Sequence, residues 1–328
     1  TSRINSVAGI SSTAAQTPRA LGIAYASKLY RERPDLAEHA TFFSKGGQEV
    51  CYTTIGDAST SEGMYFECIN AAGVLQVPII FSVWDDGYGI SVPIEFQTTK
   101  SSISKALAGF QRNEDGKGLE IIEVKAWDYP GLLAAYVRAA KLAREEFVPC
   151  LVHVIECTQP QGHSASGSHE RYKSTDRLAW EHEADCNVLF RQWILENKYS
   201  DESTLKAIDD AAIIEARKHQ KDAFAAYMSS VDVDRKAYLR IAKNLLDSTN
   251  EPSLLEPIIE ELNQVSYPIF SDLVKAGRKT LRAFRFYQGP AVKLLRKWLT
   301  DLEDKNRRRF SSHQMSESVH SPLLVKEV

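Results

Sequence analysis

Four short runs rich in β-branched, aromatic and other apolar residues punctuate the first half of the chain, near 49–55, 78–84, 119–125 and 150–157. Their length and composition predict buried strands. Between them the apolar positions return at helical spacing, over 12–29, 61–76 and 131–147. The segment RERPDLAEHATFFSKGGQ is polar, with Pro and Gly breakers, and reads as a loop. Strands that alternate with helical connections predict an α/β fold, a mainly parallel sheet flanked by helices. Beyond about Asp176 the pattern is helical only, over 176–198, 202–229, 231–247 and 254–265, so a helical C-terminal region follows. The tail from about 311 has no periodicity and is expected to be mobile. Residues 1–190 are read as the binding domain and 191–328 as a helical extension or linker.

Composition narrows the classes. With 43% hydrophobic residues in 328 the chain can bury a sizeable core. It has no apolar run of about 18 residues, and its first twenty residues lack the order of a secretory signal, so a cytoplasmic protein without a membrane partner is expected. Five cysteines form no CxxC pair, which predicts reduced, buried thiols. A net charge of -3 gives no reason to expect nucleic acid. From Lys275 to Arg309 twelve Lys or Arg face three Asp or Glu, a basic amphipathic stretch read first as a solvated face or subunit contact. Neither GxGxxG nor GxxxxGK[ST] occurs, which counts against a generic nucleotide-binding fold.

Chemistry concentrates where strands end. Gly56 and Asp57 close the first strand, and Ala58 and Ser59 lead on toward a helix. Asp86 closes the next strand inside DDGYG. A helical crossover places two such strands side by side, which brings the two carboxylates to one point at the carboxyl edge, where ligands of such folds bind. Each word has a plain alternative: Asp57 as a helix cap, and DDGYG as a turn. Paired carboxylates repel unless a cation lies between them or one takes a proton, and Mg2+ commonly joins one or two carboxylates to a substrate's phosphates.

The words GDAS, SEG, FECINAA, VPIIF and DDGYGIS, with GISSTAAQTPRALGIAYA upstream and GHSASGSHERY downstream, resemble the alpha part of the decarboxylating component of thiamine-diphosphate-dependent 2-oxo acid dehydrogenases. The likeness covers about the first 230 residues. It implies a thiamine-diphosphate-binding fold, in which Asp57 and Asp86 bind Mg2+ through carboxylate oxygens and Tyr88 through its carbonyl. It further implies that Ala58 and Ser59 approach the diphosphate, and that Ser11 and Thr13 line the cofactor. Two positions depart from the family pattern: Ala58 replaces a glycine, and the DD of Asp85 and Asp86 replaces a pair of asparagines. Ala58 is tolerable only at negative φ, and Asp86 adds a negative charge beside a diphosphate. Cofactor binding is expected to require the metal and to weaken below about pH 5.

In that family the GHS histidine lies near the cofactor, so the resemblance implies a proton-transfer or electrostatic role for His163 in acyl transfer to a lipoyl group. Ser164 follows it where mitochondrial relatives carry a phosphorylation site, and His169 and Arg171 are read as loop-ordering residues. The implied reaction is oxidative decarboxylation of a 2-oxo acid with acyl transfer to lipoamide, a branched-chain acid being slightly favoured over pyruvate. The implied partners are a beta subunit or beta domain, a lipoyl domain and an alpha2beta2-type assembly. The family's upstream cofactor contacts and beta half are not seen in the sequence, so the chain alone is expected to be inactive. Two rivals stand beside this reading: a transketolase-like carbon transferase sharing the metal motif, and a non-catalytic scaffold using the helical second half.

Overall fold

The computed structural model describes residues 12–37, 44–163 and 168–311. The first elements are α1 (Gln16–Glu32), α2 (Pro34–Ala37), β1 (Cys51–Gly56), α3 (Gly63–Leu75) and β2 (Ile79–Trp84). They are followed by β3 (Tyr88–Gly89), β4 (Val92–Pro93), α4 (Ile103–Ala106), β5 (Glu120–Lys125), α5 (Tyr129–Glu146) and β6 (Cys150–Ile155). The remainder is helical: α6 (Thr175–Glu183), α7 (Cys186–Glu196), α8 (Glu202–Thr249), α9 (Pro252–Gln264), α10 (Phe270–Ala283) and α11 (Pro290–Ser311). Contacts divide the chain into two units, Thr1–Glu202 and Ser203–Val328.

The first unit is built on a parallel sheet of order β1-β2-β6-β5. Its two central strands are buried on both faces and carry near-continuous apolar runs, whereas edge strand β1 alternates. Ile79, Phe81 and Val83 of β2 pack on one side against Tyr65, Ile69 and Ala72 of α3 and Ala20 and Ala24 of α1. Ile80 of β2 with Val152 and Val154 of β6 pack on the other side against Ala135, Ala139 and Ala143 of α5. Alanines at spacing four give α5 a smooth stripe that lies close to the sheet.

The four strands form where the apolar runs predict them, and the sheet is parallel as expected. Three helical expectations change. The 31–48 loop contains the short α2, which starts at Pro34. The expected helix 176–198 is two, because Asp185 ends the first and caps α7 by accepting the Asn187 N–H. The expected helices 202–229 and 231–247 are one 48-residue helix, α8. Ser230, which falls between the two expected helices, lies inside it, and its hydroxyl donates to the Tyr227 carbonyl.

Within the second unit, Val231, Tyr238, Ile241 and Leu245 of α8 meet Leu255 of α9, Leu273 of α10 and Leu295 and Leu302 of α11. The buried Tyr238 hydroxyl is 2.8 Å from that of Thr280. Part of the basic stretch is paired locally, Lys275 and Lys279 with Glu261 and Arg278 with Glu303. The expected mobile tail lies outside the described residues from 312 onward. All five cysteines are free, and burial pushes the thiols of Cys51 up to about 11 and of Cys150 and Cys157 up to about 12. Among the described residues no helix is long and apolar enough to cross a membrane.

Helices α10 and α11 touch at Gly277, where an added Cβ would stand 2.8 Å from the Trp298 ring and 3.3 Å from a Leu299 methyl. Gly277→Ala is therefore expected to destabilise this unit by about 1–2 kcal/mol despite the better helix propensity of alanine. Urea titration of the variant followed by helical circular dichroism measures it.

Candidate functional site

In the β1–β2 register Gly56 pairs with Trp84, so the residues that follow leave the sheet side by side. The Asp57 N–H donates to the Trp84 carbonyl at 3.2 Å, and the Asp85 N–H donates to Val154 of β6 at 2.9 Å. Asp57 then turns into a single 3-10 turn, Ala58–Ser61, with φ -53° and ψ -50°. Its side chain makes no capping hydrogen bond, so the plain helix-cap alternative fails. The carboxylate is 3% exposed, and its Oδ2 is buried without a hydrogen-bond partner. Burial pushes the Asp57 carboxyl up to about 7, and the nearby charges of Asp85 and Asp86 push it the same way.

The DDGYG segment is indeed a turn, and it is more than one. Asp85 Oδ1 accepts the Gly87 N–H at 2.9 Å, and Asp86 Oδ1 accepts the Tyr88 N–H at 3.2 Å. Gly87 takes φ +77°, a conformation open to glycine, and the chain folds back through the antiparallel pair β3–β4. Burial raises the Asp86 carboxyl, and the Tyr88 N–H, Lys173 and Arg177 pull it back down. The Arg177 guanidinium donates to the Asp86 carbonyl at 2.5 Å. Both cations lie over the Tyr88 ring, Lys173 at 5.1 Å and Arg177 at 5.2 Å.

Those two cations are themselves held. Lys173 and Glu181 form a buried ion pair at 2.7 Å, and Arg177 Nε donates to the same carboxylate at 2.8 Å. Ser174 caps α6 by accepting the Arg177 N–H, which sets the start of the helix that carries Arg177 and Glu181. The charge that Asp86 adds relative to an asparagine is thus met by positive groups from the segment just after the histidine loop. The other departure is also accommodated. Ala58 is absent from the residues at positive φ, and a Cβ on Gly89 would come within 2.8 Å of the Ala58 Cβ. Gly89 makes the room that the methyl of Ala58 takes.

Of the residues the sequence pointed to, Asp57, Ala58, Ser59, Asp86 and Tyr88 gather at this edge. Thr13 is exposed before α1, and no described hydrogen bond joins it to the carboxylates; Ser11 and Ser164 lie outside the described residues. His163 is exposed, and among the described residues no hydrogen bond or ion pair links it to Asp57 or Asp86. His169 is buried, with its ring against Gly162 and its Nδ1 unpartnered. Sequence reasoning named Asp85 only as a departure from the family pattern and missed His153, Lys173, Arg177 and Glu181. A histidine in the middle of the apolar run LVHVI was the one visible signal, since a buried imidazole needs partners.

Among the described residues no three His, Cys, Asp or Glu side chains form a ready cage. A hard divalent cation would therefore take only part of its shell from side chains, as Mg2+ does when it keeps water and phosphate oxygens. The orphaned Asp57 Oδ2 beside Asp86 is an oxygen donor set that fits such an ion.

The sheet and its acidic edge define the class, an open parallel α/β domain with three carboxylates gathered where its strands end. The chain belongs to the dehydrogenase E1 component family, whose model matches residues 1–230. It is 26% identical over 195 residues to the pyruvate dehydrogenase E1 component subunit alpha of Rickettsia typhi, covering 60% of this chain and 52% of that one. It is 31% identical over 171 residues to the protein of the same name from Bacillus subtilis, covering 51% and 43%. To the mitochondrial 2-oxoisovalerate dehydrogenase subunit alpha 2 of Arabidopsis thaliana it is 27% identical over 194 residues, covering 58% and 36%. The chain thus spans about half or less of the length of these relatives.

A carboxyl whose folded pKa is raised from 3.8 to about 7 binds its proton more tightly folded than unfolded. Its contribution is full below the unfolded value and is lost as pH rises toward the folded one. Asp57→Asn should therefore stabilise the metal-free chain by about 1–3 kcal/mol at pH 8, an advantage that shrinks toward pH 4. Urea denaturation at the two pH values checks the sign.

Proposed function

We propose that this chain is the alpha portion of a 2-oxo acid dehydrogenase, working with a beta subunit or beta domain and a lipoyl-bearing acyltransferase in an alpha2beta2-type assembly. The observation that carries the proposal is the buried, unpartnered Asp57 Oδ2 beside Asp86 at the edge of a sheet of this family. Asp57 and Asp86 would hold Mg2+ through carboxylate oxygens and Tyr88 through its carbonyl. Ala58 and Ser59 are assigned to the diphosphate of thiamine diphosphate through backbone and hydroxyl groups, and Ser11 and Thr13 to the cofactor's surroundings. When bound, thiamine diphosphate supplies the electron sink for decarboxylation, anchored through Mg2+.

The chain's own residues have three tasks in this reading. The carboxylates bind, and a cation taken up there offsets both the burial and the mutual repulsion that raise Asp57. Lys173 and Arg177 hold the Asp86–Tyr88 turn against that charge. His163, exposed on its loop, donates or withdraws a proton, or offsets charge, when the acyl group passes to the lipoyl arm. The relatives carry both pyruvate and 2-oxoisovalerate names, so the substrate is assigned as a 2-oxo acid, with the branched-chain preference left to assay.

With the beta part supplied, thiamine diphosphate should bind with Mg2+ present and fail with excess chelator. Because the metal needs Asp57 ionised, affinity should fall as pH drops below about 7, higher than the pH 5 expected for ordinary carboxylates. Calorimetric titration across pH measures both, and equal affinity with and without chelator overturns the reading. The reconstituted enzyme should decarboxylate pyruvate or 2-oxoisovalerate and be inert toward sugar phosphates, which a carbon transferase would use. His163→Ala should lower lipoyl acylation at least tenfold and decarboxylation far less, as separate assays of the two steps would reveal.

A further inference from the structure

His153 is an imidazole in the interior of the central strand β6, and its side chain is 1% exposed. In the sheet it pairs with Val83 of β2 on one side and Glu123 of β5 on the other. An imidazole in such a position costs stability unless both ring nitrogens are bonded, and both are. Nε2 is 2.8 Å from Asp85 Oδ2, and Nδ1 is 3.1 Å from the Ser104 hydroxyl and 3.4 Å from the Ser104 N–H. An ionised carboxylate only accepts, so Nε2 carries the proton and donates to Asp85. The Ser104 hydroxyl donates to Glu123, which leaves the Ser104 N–H to donate to Nδ1.

The consequence lies one residue on. Asp85 spends Oδ2 on His153 and Oδ1 on the Gly87 N–H, while its N–H donates to Val154 and its carbonyl accepts from Cys157. Every polar group of Asp85 is thereby hydrogen-bonded to β6, to Cys157 just beyond it or to its own turn, although its charge still acts on Asp57. Among the described residues the Asp86 carboxylate has no such bond to the sheet; its Oδ1 accepts the Tyr88 N–H of the same turn. The two adjacent aspartates are therefore divided: one fastens the turn to the sheet, and the other is left to the cation.

We propose that His153 is a positioning residue that, acting through Asp85, sets where the turn presents Asp86 and the Tyr88 carbonyl, and so sets the affinity of the site for a divalent cation. This rests on the functional reading above, in which Asp57, Asp86 and Tyr88 form that site. The bond plays the part of the outer partners of metal ligands, whose loss typically costs about 10–100-fold in metal affinity.

The test uses the full chain reconstituted with its beta part, Mn2+ as the probe, and electron paramagnetic resonance titration in the presence of thiamine diphosphate. His153→Gln places an amide N–H near the position of Nε2 and can still donate to Asp85; His153→Asn places its amide near Nδ1 and cannot. The Gln variant should keep Mn2+ affinity within about threefold, and the Asn variant, still folded at the temperature of the titration, should lose about 10–100-fold. Asp85→Ser removes the same bond from its other end, should show a loss of the same size, and decides the matter if the Asn variant does not fold. Wild-type affinity in the Asn or Ser variant, or equal losses in Gln and Asn, overturns the positioning role while leaving the site itself intact. Mn2+ binding that is absent in the wild type, or unchanged by Asp57→Asn, overturns the site and this proposal with it.

Discussion

Asp57 is a carboxylate placed at 3% exposure with one oxygen unpartnered and two further carboxylates nearby, an arrangement that costs free energy wherever no cation or proton answers it. Much of the first unit follows from keeping that arrangement in place. The β1–β2 register brings Asp57 to the DDGYG turn, and the central position of β2 gives the turn a rigid base on β6. Lys173 and Arg177, both held by Glu181, then bring positive charge over the Tyr88 ring. In the proposed reading, stability is traded for a site at this edge.

The opposing charges come from different stretches of chain, and this couples them. Lys173 and Arg177 follow the segment that bears His163 and His169, whereas Asp86 and Tyr88 lie in the turn after β2, some ninety residues earlier. A buried ion pair tolerates little displacement, because separating its members leaves an uncompensated charge. Glu181 accepts from both Lys173 and Arg177, so the start of α6 and the DDGYG turn hold one another. The histidine loop ends in the same assembly that shapes the acidic edge.

The second unit obeys simpler physics. Its helices bury one face each around Tyr238, Leu245, Leu273 and Leu295, and its basic residues stand on the outer faces. Glu261 and Glu303 engage three of them, so the compositional excess of the 275–309 stretch overstates the unpaired charge there.

Strand positions, the parallel sheet and the meeting of Asp57 with Asp86 were legible in the chain, because strand length, β-branched content and crossover length are local properties that leave few topologies open. Local pattern could not say that 202–249 is one helix, since the break expected at 230 falls on a serine whose hydroxyl bonds back to the helix. Nor could it separate Asp85 from Asp86. The two are adjacent and chemically identical in sequence, and only the arrival of His153 from β6, sixty-eight residues away, gives one to the sheet and leaves the other at the edge. Lys173, Arg177 and Glu181 were invisible as site residues for the same reason: charge compensation depends on distance through space. Sequence determined which groups could bind; tertiary structure decided which of them are free to do so.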